Sequence, residues 1–180
     1  SNRINQIGYE GAFGAFKAGI FLDELNNATF TNNDTLGVEG QISGDFSGVT
    51  FALLGGYDVD KENGAVRLIA TAPIGPGTFS VAGIYSSGDN AYYNQAEWTV
   101  ATSYELAVNE KFKVTPGFQY WDKIDIVNGD FSGDRNKWQA GVTLDYAITK
   151  GLAAKVSAQY TDEDRAAEYW SGFFRLQRSF

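Results

Sequence analysis

The chain has 180 residues, a formal net charge of −8, and no cysteine, histidine or methionine. This length suits one domain, and the missing side chains exclude disulfides, thiolate or imidazole metal sites and Ser-His-Asp catalysis. An acidic chain binds nucleic acid poorly, so we expect no nucleic-acid partner. We also expect no cofactor and no metal site. Only serine–lysine or two-carboxylate catalysis stays formally open, and we expect that the protein is not an enzyme.

Polar and apolar residues alternate along most of the chain, which predicts β-strands and no helix. From Trp138 onward, for example, Val142 and Tyr146 fall on one side of the pattern, and Thr143 and Asp145 fall on the other. The pattern predicts about eleven strands of about 8–12 residues each. In chain order they are centred near Ile7, Ala18, Val38, Leu53, Leu68, Val81, Val100 and Val114, and then cover residues 138–148, 152–161 and 170–180.

The connections between the predicted strands alternate between short and long. Soluble sandwiches have no reason to collect their tight turns at one end, whereas bacterial outer-membrane barrels have short periplasmic turns and long external loops. We therefore expect an all-β fold, an antiparallel transmembrane β-barrel. The short connections are residues 11–14, 44–48, 74–77, 108–111 and 149–151, the long ones are 26–34, 86–94, 123–136 and 162–167, and the short connection 58–64 departs from the rhythm.

Aromatic residues cluster at two heights of the predicted strands, separated by a band of Ala, Val, Leu and Ile. Such a pair of girdles is typical of strands that face lipid. A soluble antiparallel sandwich or jelly roll shares the composition and the period, and it stays the alternative fold. The long-loop end holds Trp98, Trp121, Trp138, Trp170, Tyr57, Tyr85, Tyr120 and Tyr160, and the short-turn end holds Phe16, Phe79, Tyr104, Phe112, Tyr146 and Phe180.

Several short motifs stand out once the strands are placed. The chain ends in Gly-Phe-Phe-Arg-Leu-Gln-Arg-Ser-Phe, residues 79–94 contain Tyr-Ser-Ser-Gly-Asp-Asn-Ala-Tyr, and residues 112–116 read Phe-Lys-Val-Thr-Pro. These motifs resemble the closing strand, the GYGSGDNAY region and the FxVTPE strand of the alphaproteobacterial outer-membrane porins of the rhizobial and Brucella type. Gly117 stands where that last motif has an acidic residue. The likeness covers most of the chain after about residue 60.

Members of this family are 16-stranded, usually trimeric general-diffusion porins of about twice this length. The resemblance implies that residues 1–180 form a single β-barrel domain that lacks its N-terminal strands. Strands six to sixteen would be present, and the first five and the constriction loop would be missing; a smaller complete barrel is the alternative.

The resemblance also implies a function, a location and partners. The expected function is passive diffusion of small hydrophilic solutes and ions through a water-filled channel in the bacterial outer membrane. The expected partners are outer-membrane lipids, lipopolysaccharide, two further copies in a homotrimer, and the solutes themselves.

Isolated charges on the polar side of the alternation are the candidate pore-lining and selectivity residues. One predicted hairpin places Glu105 opposite Lys113. The hairpin at 149–151 places Asp145 beside Lys155. Both pairs are compatible with wall structure alone, because exposed cross-strand ion pairs contribute only about 0.2–1 kcal/mol. The whole set is Lys17, Asp23, Glu39, Arg67, Glu105, Lys113, Asp145, Lys155 and Arg175.

Two arginines of this set differ from the rest. Neither Arg67 nor Arg175 has an acidic residue opposite it in the predicted register, and Lys155 lies diagonal to Arg175. An unpaired arginine at mid-height can set up the field that selects ions in a pore, or it can simply bond backbone carbonyls. Lys17 and Glu39 could pair across the first long loop.

A second function from a different class stays open. Trp121, Tyr92 and Tyr93 could serve as stacking platforms for sugar rings in a soluble or outer-membrane β-sandwich or barrel that binds carbohydrate.

Overall fold

The computed structural model of the protein describes residues 5–25 and 35–179, and every regular element in these two stretches is a β-strand. Eleven strands form one antiparallel sheet, as the alternation predicts, and two short strands form a separate hairpin. In chain order the strands are Asn5–Phe13 (β1), Phe16–Glu24 (β2), Leu36–Phe46 (β3), Val49–Asp58 (β4), Asn63–Ile74 (β5), Gly77–Ser86 (β6), Trp98–Ala107 (β7), Phe112–Asp122 (β8), Asp125–Val127 (β9), Asp130–Ser132 (β10), Lys137–Thr149 (β11), Leu152–Glu163 (β12) and Tyr169–Arg178 (β13).

The large sheet is a meander in which each strand pairs with its neighbours along the chain, and β8 pairs with β11 across the small hairpin. Within the described residues the edge strands β1 and β13 do not pair with each other, so closure into a barrel stays a prediction. The same residues include no helix that is long and apolar enough to cross a membrane.

The two faces of the sheet differ in chemistry because successive side chains of a strand point to opposite sides. The apolar face carries large exposed side chains, such as Trp170 (74% exposed) and Phe174 (68% exposed). The polar face carries serine, threonine, glutamine and charged residues. Its hydroxyl groups bond across neighbouring strands, as Thr143 Oγ1 does with Ser157 Oγ at 3.1 Å.

One predicted girdle residue lies on the polar face. Trp121 pairs with Thr99 and Lys137, and its side chain is only 7% exposed. The expectation that Trp121 faces lipid is wrong, because Tyr120 holds the preceding, apolar position and adjacent residues alternate. The Lys137 ammonium nitrogen lies 4.4 Å from the centre of the Trp121 ring, so a cation–π contact covers one face of the indole.

The connections differ in length between the two ends of the sheet. At one end, the short-turn end, they are residues 14–15, 47–48, 75–76, 108–111 and 150–151. At the other, the long-loop end, they include 87–97, 123–136 and 164–168, with 59–62 as the short exception. The predicted alternation is therefore confirmed for these connections. The predicted long loop 26–34 and the terminal Phe180 lie outside the described residues.

The connection 123–136 contains the small hairpin, which the alternation does not predict. Val127 pairs with Asp130 across Asn128 and Gly129, whose φ angles are 55° and 92°. Two consecutive positive φ values define the tight hairpin turn that favours Asn-Gly. Three-residue strands are too short to show alternation, but the Asn-Gly pair is a signal that could have found this hairpin.

Gly172 on β13 lies so close to β12 that an alanine would place its Cβ 2.3 Å from the carbonyl oxygen of Ser157. We expect Gly172→Ala to destabilise the sheet by about 1–3 kcal/mol, because the two strands must separate locally to admit the methyl group. Gly83 on β6 is the matched control, since a Cβ there meets nothing within 4 Å. Chemical denaturation of the Gly172→Ala and Gly83→Ala variants measures the difference, and equal stabilities would contradict the close approach.

Candidate functional site

Charged side chains of the polar face form a row across β7, β8, β11, β12 and β13. Asp145 lies opposite Lys113 on one side and Lys155 on the other. Glu105 Oε1 is 2.8 Å from Lys113 Nζ. Asp145 Oδ1 is 3.1 Å from Lys155 Nζ. Both predicted ion pairs form, but Ala107 lies opposite Lys113, so Glu105 reaches Lys113 diagonally and the predicted direct placement of this pair is wrong. The remaining member of the row is the cation Arg175 on the edge strand.

The predicted diagonal placement of Lys155 and Arg175 is wrong, because the two residues are direct cross-strand partners. Pairing between β12 and β13 begins with Thr161 opposite Tyr169, and this register places Lys155 opposite Arg175. The guanidinium carbon of Arg175 lies 5.5 Å from the centre of the Phe173 ring, and the described residues offer Arg175 no acidic partner. Two adjacent cations give this end of the row a positive potential.

The pair considered between Lys17 and Glu39 does not form. Lys17 lies opposite Ser43, whereas Glu39 lies opposite Phe21, so the two charges are four positions apart along β2 and β3. At about 3.3 Å per residue this offset is roughly 13 Å, which is too long for an ion pair.

A neutral polar region occupies the same face nearer the long-loop end. Gln139 Nε2 donates to Thr161 Oγ1 at 2.9 Å, and Gln159 Nε2 donates to Ser171 Oγ at 3.1 Å. Gln139 and Gln159 border a shallow depression of about 300 Å³. The polar face thus offers water a nearly continuous set of hydroxyl and amide partners between its charges.

The connection 87–97 folds onto the polar face, and Asn90 organises it. Asn90 Oδ1 accepts the backbone N–H groups of Tyr92 and Tyr93 at 3.0 and 2.9 Å. Its Nδ2 donates to Ser86 Oγ at 2.8 Å, and the side chain is 1% exposed. The alternation places this segment in a long connection but does not indicate that it has a buried polar centre.

Tyr92 extends this loop as far as β2. Its hydroxyl donates to Asp23 Oδ2 at 2.7 Å, and Asp23 also accepts from Gln6 Nε2 at 2.8 Å. Two glycines make room for the side chain. A Cβ at Gly56 would lie 2.4 Å from the ring's Cγ, and one at Gly37 would lie 2.1 Å from the hydroxyl oxygen. Burial and the hydrogen bond to Asp23 raise the pKa of Tyr92, so the hydroxyl stays protonated at physiological pH.

The three aromatic residues considered for sugar stacking do not form an open platform. The Tyr93 hydroxyl is 2.5 Å from Thr99 Oγ1, and burial raises the pKa of Tyr93. Tyr92 packs against the strands, and Trp121 is buried. The carbohydrate-binding alternative needs exposed ring faces that these side chains do not present.

A pocket of about 130 Å³ lies beneath the loop on the polar face. Arg67 and Glu39 both line it, together with Tyr92 and Tyr93. The sequence predicts that Arg67 has no acidic partner opposite it, and this is confirmed within the described residues. The sequence pattern does not predict that Arg67 and Glu39 line the same pocket, because the loop that covers them connects two other strands, β6 and β7.

Ion pairs at the long-loop end connect the loops to one another. Lys123 pairs with Glu97 and so joins the connections 123–136 and 87–97. The hydrogen bond to Glu97 raises the pKa of Lys123, which stays charged at physiological pH. Arg135 lies 2.8 Å from Asp125 and also pairs with Glu163 on β12.

Comparison with known proteins gives consistent matches over nearly the whole chain. The Porin subfamily matches residues 1–174. Outer membrane protein IIIA of Rhizobium leguminosarum bv. viciae is 38% identical over 188 residues, which cover 94% of this chain and 50% of that protein. The protein named "Putative outer membrane protein y4fJ" of Sinorhizobium fredii (strain NBRC 101917 / NGR234) is 45% identical over 180 residues, which cover 98% and 51%. The chain spans about half the length of the curated relatives it matches.

An antiparallel meander with an exposed apolar face, a polar face and loops of unequal length at its two ends defines a β-sheet protein of the outer-membrane class. The chain belongs to the Porin subfamily. Its location is accordingly the bacterial outer membrane.

The role of Asn90 in the loop is open to a direct test. We expect Asn90→Ala to abolish the slow hydrogen exchange of the Tyr92 and Tyr93 amides, because both donate to the lost Oδ1. Asn94→Ala is the matched control, since Asn94 is exposed in the same loop. Amide exchange followed by mass spectrometry reads both variants, and unchanged protection in Asn90→Ala would show that other contacts hold the loop.

Proposed function

We propose that the chain forms the wall of a water-filled channel for passive diffusion of small hydrophilic solutes and ions. The observation that carries the proposal is the distribution of side chains on the sheet: most of the large apolar residues lie exposed on one face, and the row of paired charges lies on the other. A soluble protein would bury the apolar face, whereas a porin wall turns it to lipid and turns the polar face to water.

The proposal includes closure of the sheet and assembly. We propose that residues 1–180 are one barrel domain whose eleven-stranded sheet is completed by further strands, because an odd number of antiparallel strands does not close a bacterial barrel. We also propose a homotrimer in contact with outer-membrane lipids and lipopolysaccharide. The greater length of the relatives supports the first part of this proposal.

Selectivity in this proposal comes from the polar-face charges. Glu105 pairs with Lys113 and Asp145 pairs with Lys155, which leaves Arg175 as the unpaired cation of the row. Arg67 adds another unpaired cation, which lies nearer the long-loop end of the sheet. Lys17 and Glu39 complete the proposed pore-lining set. We propose transport rather than catalysis as the activity.

Neutralising the unpaired arginines tests this account of selectivity. In the Arg67→Gln, Arg175→Gln double variant we expect the cation-to-anion permeability ratio to rise by roughly twofold, because two fixed positive charges leave the channel wall. Reversal potentials in a salt gradient measure the ratio, and Lys111→Gln, in an exposed turn, is the control. An unchanged ratio would show that the two arginines do not determine ion selectivity and serve only in the structure of the sheet.

The assignment of the two faces has its own test in a neighbouring pair of residues on β11. Val142 lies on the apolar face, and Thr143 lies on the polar face, where it contacts Ser157. We expect Val142→Arg to destabilise the folded protein by about 2–4 kcal/mol, because the charge enters the lipid. We expect Thr143→Arg to fold normally. Denaturant titrations in lipid vesicles compare the two variants, and equal tolerance would invalidate the assignment.

A further inference from the structure

Arg67 and Glu39 carry opposite charges in one small pocket and do not bind each other. Both line the pocket of about 130 Å³, yet no nitrogen–oxygen contact within 4 Å joins them. Neither has another ion-pair partner among the residues that the structure describes. An arginine and a carboxylate within reach of one pocket ordinarily form a charge-assisted pair, so two separate unpaired charges need an explanation.

Strand β4 lies between the two charges, because Glu39 on β3 is opposite Gly56 and Arg67 on β5 is opposite Leu54. Arg67 lies between Leu54 on β4 and Ile84 on β6, and both neighbours also line the pocket. The guanidinium therefore has apolar side chains on both flanks, and it is exposed to solvent. A hydrophobic border next to a free guanidinium is suited to a ligand that has an apolar part next to an anionic group.

Glu39 is held apart in a similar way on β3. Its cross-strand neighbours are Phe21 and Gly56, and neither can form an ion pair. Tyr92 lies over Gly56, but its hydroxyl is already committed to Asp23. The tyrosine therefore bounds the pocket beside Glu39 without satisfying the carboxylate.

We propose that this pocket is a binding subsite for small zwitterions, with free α-amino acids of apolar side chain as the ligand class. Arg67 binds the carboxylate, Glu39 binds the ammonium group, and the side chain of the ligand packs against Leu54 and Ile84. A solute with one charge satisfies only one of the two residues and leaves the other unpaired, whereas a zwitterion satisfies both. The inference rests on the proposed channel function, to which it adds a solute-specific site.

The probe for the experiment is L-valine, titrated into planar-bilayer recordings of the protein. The concentration at which valine blocks half of the solute-sensitive ion current gives its affinity. We expect Arg67→Gln and Glu39→Gln each to weaken valine block by roughly 10- to 150-fold, the usual effect of losing one hydrogen bond to a charged group. Lys150→Gln, in an exposed turn at the other end of the sheet, should leave valine block unchanged.

Two analogues assign each charge to its partner. Valinamide lacks the carboxylate and N-acetylvaline lacks the ammonium group, so both should bind the wild type more weakly than valine. Arg67→Gln should remove the preference for valine over valinamide, and Glu39→Gln should remove the preference for valine over N-acetylvaline, as expected when each pair interacts directly.

The outcomes separate the subsite from the channel. Permeation of arabinose into proteoliposomes reports an open channel that does not depend on solute charge, and it also shows that each variant is folded. Wild-type protein that passes neither ions nor arabinose would overturn both the channel and the subsite. A conducting wild type that valine does not block, or that valine blocks as well as it blocks Arg67→Gln, would overturn the subsite alone.

Discussion

Every backbone N–H and C=O group in the hydrocarbon interior of a membrane must find its partner within the protein, because no water is available there. This constraint accounts for the simple topology, in which each strand of the large sheet pairs with the next and the hydrogen-bond ladder runs from β1 to β13. A slip of one residue would exchange the two faces of a strand. One register therefore determines the apolar face, the charge row and the pocket at Arg67 together.

The charged residues of the polar face form only weak ion pairs. Lys113 and Asp145 are each half-exposed, so their ion pairs are screened by water and contribute little to stability. For the same reason Lys155 and Arg175 can stand side by side, since solvent limits their repulsion. The charges on this face therefore contribute little to the stability of the sheet.

The alternation in the sequence predicted the strands, their number in the large sheet and the end at which the long connections lie. It also predicted the pairs Glu105–Lys113 and Asp145–Lys155. Asp145 and Lys155 lie directly opposite each other as expected, whereas Lys113 lies opposite Ala107, so the predicted register of that hairpin was wrong. The register of β12 against β13 was wrong, since a five-residue connection does not fix where pairing begins. Trp121 was assigned to the aromatic girdle because it is a tryptophan near the long-loop end. It directly follows Tyr120, which lies on the apolar face, so Trp121 lies on the polar face.

The position of the connection 87–97 on the polar face could not be predicted by the same reasoning. Its position depends on Tyr92 reaching Asp23, a contact between residues 69 positions apart that no periodicity records. The glycines that admit the ring, Gly37 and Gly56, are indistinguishable in the sequence from other strand glycines. Only Asn90 gave a local signal, because an asparagine that accepts from the backbone two and three residues ahead is a common turn former.

The span of the Tyr92–Asp23 hydrogen bond has a consequence for the order of folding. Pairing of consecutive strands of the large sheet closes loops of at most 14 residues, so the meander can grow hairpin by hairpin. The loop, in contrast, docks on a surface that exists only after β2, β3 and β4 are aligned, and Tyr92 needs the gaps at Gly37 and Gly56 to be adjacent already. Docking of this loop is therefore a late step of assembly, and its release does not require any strand of the sheet to separate.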